Sequence, residues 1–228
     1  MRSSTERSWK DTSMICVSLA EPTAAACLRA LQGLDFAEIR LDKMRIGPEG
    51  IKRIFSQPSR LIASCRPGGR SETKRLHLLL TAIQSGAAFV DVELETDVRF
   101  RERIIRAARA AGCRVIVSYH NFERTPPRAE LERTIALSFA SGADIVKVAC
   151  LVRTRRDNAR LLGLLDAGLS LIVVGMGRKG RLTRIAAPLL GSAFTYASIV
   201  GGRETADGQW EAASLERILL ELKHYAQA

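Results

Sequence analysis

The sequence predicts an α/β fold: a single-domain (β/α)8 barrel, the TIM barrel. Three observations carry this expectation. Short apolar runs alternate with helical segments eight times along the 228 residues, which indicates parallel βαβ units. Eight units in a chain of this length favour a closed barrel over an open, doubly wound sheet, which is the alternative. No Gly-x-Gly-x-x-Gly fingerprint follows the first strand, and this argues against a dinucleotide-binding open sheet. Finally, ionisable residues in five consecutive strands fall on one side-chain parity, and in a barrel one parity faces the interior.

The elements follow in order. Residues 1–13 are polar, lack the apolar segment of a secretion signal, and read as an extension; residues 14–228 form the barrel. Residues 14–19 make the first strand. Pro22 and an alanine-rich run to Leu31 form a helix that Gly33 ends. Residues 36–42 are the second strand, and Gly47-Pro48 opens a helix to about Phe55. The third strand is 61–66, followed by the loop Pro67-Gly68-Gly69-Arg70 and a helix over 72–85. The fourth strand, 89–94, leads to a basic helix over 98–111, and the fifth strand is 114–120. Thr125-Pro126-Pro127 starts a helix to about Ala140. The sixth strand, 144–149, precedes a helix to about Ala167. The seventh strand, 169–176, precedes a helix over 181–190; the eighth, 193–198, precedes a closing helix over 212–226.

Composition excludes several classes. Hydrophobic residues make up 46% of the chain, and no apolar run approaches the roughly 20 residues of a membrane span. Five cysteines (Cys16, Cys27, Cys65, Cys113 and Cys150) are odd in number and lack a Cys-x-x-Cys pair. They indicate neither a disulfide framework nor a zinc site, and a reducing cytoplasm is the simplest setting. The net charge of +11 raises the question of nucleic acid, but the arginines are scattered along helices and only 5% of residues are aromatic, few for base stacking. A solvated basic surface that attracts anionic metabolites is expected, with neither nucleic acid nor membrane as a partner.

The interior parity gathers the chemistry. It holds Glu38, Arg40 and Asp42 of the second strand, Ser64 and Arg66 of the third, and Asp91 and Glu93 of the fourth. The fifth contributes Ser118 and His120, and the sixth Lys147. Most lie near strand C-termini, where barrel active sites sit. The bland reading is a hydrogen-bonded polar plug, which explains a mixture of arginine, histidine and lysine at one rim less well. Lys147 lies in Asp144-Ile145-Val146-Lys147-Val148-Ala149, a run that reads as covered on both faces. An ammonium there is costly unless it is paired or gives up its proton. Such a lysine often reaches water or a carboxylate instead, but among cations it becomes a nucleophilic amine. His120 falls on the preceding strand at the same mouth and suits proton transfer near neutrality. The set fits an anionic carbonyl substrate: an imine at the lysine, protons moved by the histidine, a carboxylate held by arginines.

Taken in order and spacing, six motifs resemble the type I 3-dehydroquinate dehydratases from about Ile15 to the C-terminus. They are Glu38-Ile39-Arg40-Leu41-Asp42, Cys65-Arg66, Val117-Ser118-Tyr119-His120-Asn121-Phe122, Ile145-Val146-Lys147-Val148-Ala149, Met176-Gly177 with Thr183-Arg184-Ile185, and Ala206-Asp207-Gly208-Gln209. The resemblance implies a (β/α)8 barrel acting in the shikimate pathway, with no metal or organic cofactor, often as a homodimer. It implies that Lys147 forms a Schiff base with the ketone of 3-dehydroquinate. His120 then takes the neighbouring C–H proton and protonates the departing hydroxyl, giving syn loss of water and 3-dehydroshikimate. It places Arg184 and Gln209 at the substrate carboxylate and Glu38, Arg40 and Arg66 around the ring hydroxyls. Thr205 stands where the family usually has a serine on the loop that closes over substrate.

Three positions depart from the family pattern. The glutamate that usually follows the strand-three arginine and orients the histidine is missing, with Glu72 the nearest substitute beyond the glycines. Asn121 replaces the usual aspartate after the histidine, and Asp207 replaces a proline of the lid. The first departure bears on the tautomer and basicity of His120, a role worth about 10–100-fold by analogy with outer-shell losses. The expectation is an active enzyme with room to be slower than its relatives. Two other readings share part of this pattern: an imine-forming aldolase or transaldolase, and a dehydratase-like protein that only binds an anionic metabolite or nucleic acid.

Overall fold

The computed structural model describes residues 15–199 and 204–226, so the polar extension over 1–13 and Met14 lie outside the described residues. Strands and helices alternate as β1 Ile15–Leu19, α1 Ala24–Ala30, β2 Phe36–Arg40, α2 Pro48–Phe55, β3 Arg60–Ser64, α3 Glu72–Gln84, β4 Phe89–Glu93 and α4 Val98–Ala111. They continue as β5 Arg114–Asn121, α5 Arg128–Ala140, β6 Ile145–Leu151, α6 Arg155–Leu162, β7 Leu171–Met176, α7 Arg181–Leu189 and β8 Thr195–Ser198. A two-residue strand, β9 Trp210–Glu211, and then α8 Ala212–Ala226 complete the chain. Local chemistry sets these limits. Asp97 accepts from the amides of Arg99 and Phe100 at 2.9 and 3.1 Å and so starts α4, and Gly112, at φ 67°, ends it in the left-handed region. Thr154 and Asp157 cap α6 reciprocally.

The strands are parallel and hydrogen-bonded in the order β7-β6-β5-β4-β3-β2-β1-β8-β9. Between β7 and β8 the barrel closes through the loop before β8. Ala193 N donates to Leu171 O at 2.8 Å, and Val173 N donates to Ser192 Oγ at 3.2 Å. The other edge of β8 pairs with β9, Ala197 with Trp210 and Ser198 with Glu211. The expected barrel is present, and β9 is an addition that a two-residue segment gave no periodicity to reveal.

The interior is layered. Cys16, Phe36, Ile62, Phe89, Ile116, Ile145, Ile172 and Tyr196, one from each of the eight barrel strands, form a single apolar cluster. Phe36 and Phe194 meet edge to face at 4.8 Å between ring centroids, which fills the lower barrel. The opposite parity (Ile39, Ala63, Val90, Val92, Val115) packs with Ile54, Leu79 and Ile104 of the helices. The polar residues therefore stand in the layers above an apolar plug. Three strands end earlier than the sequence predicts, β4 by one residue at Glu93 and β2 and β3 by two. β2 stops at Arg40 and residues Leu41–Lys43 turn as a 3-10 helix; β3 stops at Ser64. There the Asp42 carboxylate accepts the Arg66 N–H at 3.3 Å. The helix expected to reach Ala167 ends at Leu162 and continues as a 3-10 turn, Gly163–Ala167.

Candidate active site

Lys147 stands at the centre of the polar layers, 6% exposed. Its Nζ lies 3.2 Å from Asp91 Oδ2, 3.8 Å from Glu38 Oε1, and 4.2 Å from the centroid of the Tyr196 ring. β5 and β6 pair Ser118 with Lys147 and His120 with Ala149, so the imidazole occupies the next inward layer toward the mouth. The sequence predicts cationic neighbours around this amine, with Glu38 and Glu93 offsetting part of their charge. The structure surrounds it with carboxylates as well, because Asp91 and Glu38 share its interior parity.

Asp91 is the hub. It accepts from Arg66 Nη1 and Nη2 at 3.1 and 2.8 Å, from Ser118 Oγ at 2.6 Å and from Lys147. Burial alone would raise its pKa, but Arg66, Lys147 and the Ser118 hydroxyl hold the carboxyl far below the usual range. Arg66 also reaches Glu93 Oε1 at 2.8 Å, whose other oxygen accepts from Arg75 at 3.0 Å. Arg40 forms a two-point pair with Asp42 at 3.0 and 2.8 Å. On the other side Ser18 Oγ donates to Glu38 Oε2 at 2.5 Å and contacts Thr205 Oγ1 at 2.8 Å. Gln209 Nε2 donates to Thr205 Oγ1 at 3.1 Å, and its Oε1 accepts from Thr205 N at 2.8 Å, tying the loop before β9 to the barrel.

Arg184 differs from these cations. It is 1% exposed on α7 and has no carboxylate within ion-pair distance among the described residues. Among the described residues only the carbonyls of Tyr196 and Asp207 approach it, at 3.4 and 3.5 Å. Burial lowers its pKa to about 10, against the opposing charge of Asp207. Its position is fixed by a tight β7–α7 junction. Thr183 Oγ1 accepts from Gly175 N at 2.7 Å and donates to Gly180 O at 2.8 Å. Such a guanidinium is suited to a carboxylate brought in by a ligand.

His120 has no side-chain hydrogen-bond partner among the described residues. Its ring stacks on Phe122, 6.0 Å between centroids and 11° between planes. Burial, then the charges of Arg66 and Lys147, push its pKa well below the ordinary 6.5. The imidazole is therefore neutral and ready to accept a proton. Glu72, the nearest substitute for the missing glutamate, sits in the first turn of α3 beside the cavity.

All eight residues expected at the site (Lys147, His120, Glu38, Arg40, Arg66, Arg184, Thr205 and Gln209) line one cavity of about 750 Å³ at the C-terminal ends of the strands. Sequence reasoning placed Asp91 in the interior but not as the partner of Lys147, for which the shared parity was the available signal. Tyr196 and Ser18 were missed, since an aromatic or a serine within a short strand looks like ordinary core.

A parallel barrel whose mouth holds a buried amine, a neutral imidazole and an unpaired guanidinium defines a class, the barrel lyases that work on anionic carbonyl compounds. The sequence matches the type I 3-dehydroquinase family over residues 15–226. It is 34% identical to the 3-dehydroquinate dehydratase of Methanosarcina barkeri, covering 92% of this chain and 94% of that one. It is 35% identical to that of Desulfotalea psychrophila, covering 86% and 92%. The fold superposes on the crystal structure of 3-dehydroquinate dehydratase from Geobacillus kaustophilus with a TM-score of 0.83, at 25% identity and covering 94% and 93% of the two chains. The chain belongs to the type I 3-dehydroquinase family. It is a hydro-lyase of the shikimate pathway, and this membership sets aside both the aldolase and the non-catalytic readings.

Proposed function

We propose that Lys147 forms the Schiff base with 3-dehydroquinate and that His120 moves the protons of a syn dehydration. The observation that carries this reading is the stacking of the two groups in successive inward layers of neighbouring strands, in one cavity with Arg184, which has no carboxylate within ion-pair distance among the described residues. The amine adds to the ketone carbon and water leaves; the two hydrogens of that water are those the ammonium gives up in becoming a protonated imine. The imine withdraws electrons from the adjacent C–H bond. Neutral His120 takes that proton, the electron pair moves toward the imine, and the imidazolium protonates the hydroxyl as it departs. Hydrolysis of the conjugated imine returns the amine and releases 3-dehydroshikimate.

The remaining groups bind. Arg184, with Gln209, takes the substrate carboxylate and thereby receives the counter-charge its buried site lacks. Glu38, Arg40, Arg66 and Thr205 surround the ring hydroxyls, with Asp91 and Glu93 keeping Arg66 in place. The working form we infer is a cytoplasmic homodimer. Five free cysteines favour a reducing compartment, and exposed Leu182 on α7, Leu190 just after it and Leu220 on α8 offer apolar surface to a second copy. Light scattering on the purified protein tests the dimer.

The product is a conjugated enone, so turnover is followed by ultraviolet absorbance. Lys147→Met is expected to remove turnover, and His120→Ala to lower kcat by about 10²–10⁴-fold while still allowing imine formation. Turnover by Lys147→Met at the parent rate would reject the reading.

A further inference from the structure

Tyr196 is not accounted for by the reaction as described above. It is 3% exposed, lies on β8 facing the barrel interior, and lines the cavity. The face of its ring meets Lys147 Nζ at 4.2 Å. Its hydroxyl is buried and has no hydrogen-bond partner among the described residues, a rare condition that costs free energy unless a ligand relieves it. Glu38, also 3% exposed, leaves Oε1 in the same condition, 3.8 Å from Nζ. Two orphaned polar atoms, one a donor and one an acceptor, thus belong to the two side chains that face the amine.

When that amine adds to a ketone, the carbonyl oxygen stays bonded to the attacked carbon, next to Nζ, until it leaves as water. It needs a hydrogen-bond donor as negative charge grows on it. The neighbours of the amine offer few. Asp91 and Glu38 are acceptors, and Arg66 spends Nη1 and Nη2 on Asp91, Glu93 and Ser118. His120 stands one inward layer nearer the mouth, level with Ala149 and not with Lys147. We infer that the Tyr196 hydroxyl is a further catalytic group: it donates a hydrogen bond to the oxygen displaced by Lys147, while Glu38 Oε1 accepts from the water as it forms. The balance of the step is unchanged. The C=O bond breaks, the C=N bond forms, and the water carries the two hydrogens lost by the ammonium; the phenol keeps its own proton. Burial, first, and the charge of Glu38 hold the phenol protonated, consistent with a role as donor only. The same pair would seat the water that hydrolyses the product imine.

This inference rests on Lys147 as the nucleophile, and the test separates the two. Tyr196→Phe keeps the ring under Nζ and removes only the hydroxyl. Parent and variant are mixed rapidly with 3-dehydroquinate, quenched with borohydride at set times, and weighed intact. The parent is expected to acquire the adduct, and the variant to acquire it on the order of tenfold more slowly. The variant should also show a smaller isotope effect with substrate deuterated at the carbon that loses its proton, because imine formation then limits turnover. Its melting temperature should equal or exceed that of the parent, since an unpartnered buried hydroxyl has been removed. Equal rates of adduct formation in parent and variant would overturn the role of Tyr196 alone. A parent without adduct would overturn the Schiff-base reading itself.

Discussion

At His120 the site depends on suppressing a charge. Burial and the cations Arg66 and Lys147 keep the ring neutral where a free imidazole would be half protonated. The active base is the neutral form, so kcat/KM should rise with pH along a limb below the ordinary 6.5 and stay flat across neutrality. A pH–rate profile with its acidic limb at or above that value would contradict this environment. With no side-chain hydrogen bond to orient it, the ring relies on Phe122, which is 73% exposed. Phe122→Ala should change stability by less than about 0.5 kcal/mol, as surface substitutions do, yet lower kcat several-fold. A melting curve and a rate measurement on the same preparation check both halves. The sequence showed the loss of the glutamate, because a missing residue in a motif is visible. It could not show what stands there instead, since stacking depends on the turn that follows β5.

At the scale of elements, the β7–α7 junction governs how Arg184 is presented. A Cβ on Gly180 would lie 2.5 Å from Gly175 O, closer than real side chains approach, so the strand and the turn before the helix must separate if it is added. Gly180→Ala is therefore expected to shift Arg184 and raise KM on the order of tenfold, with a smaller effect on kcat, because a charged contact to the substrate carboxylate is weakened. Steady-state kinetics decide this; an unchanged KM would mean that Arg184 does not bind substrate through that geometry. The elements themselves were legible, as α4 illustrates: the basic helix expected over 98–111 is the one observed, with Asp97 capping its start and Gly112 its end. Strand ends were less so. β2 appeared to run to Asp42 because alternation continued, but that side chain turns to bond Arg40 and the Arg66 amide. The contact with the Arg66 amide joins residues 24 apart in the chain and leaves no local pattern.

Over the whole molecule, the same buried charges set stability against acid. Asp91 and Asp42 have folded pKa values held below the ordinary 3.8, and His120 below its 6.5. For each group the unfolded chain binds protons first as pH falls, so stability is full above the unfolded value and is lost below it. The melting temperature should decline first below about pH 6.5, through His120, and more steeply below about pH 4, through the aspartates. His120→Phe should remove the first decline and leave the second, which a pH series of thermal melts resolves. The overall architecture was readable because eight repeats of one pattern admit few arrangements, whereas the pairing of Lys147 with Asp91 and Tyr196 emerges only when the barrel closes. The most direct test of the central claim is the intact mass of the protein after treatment with 3-dehydroquinate and borohydride, followed by peptide mapping. One stable adduct, dehydrated, is expected on Lys147. An adduct on another residue, or none on folded protein beside a working control, would contradict it.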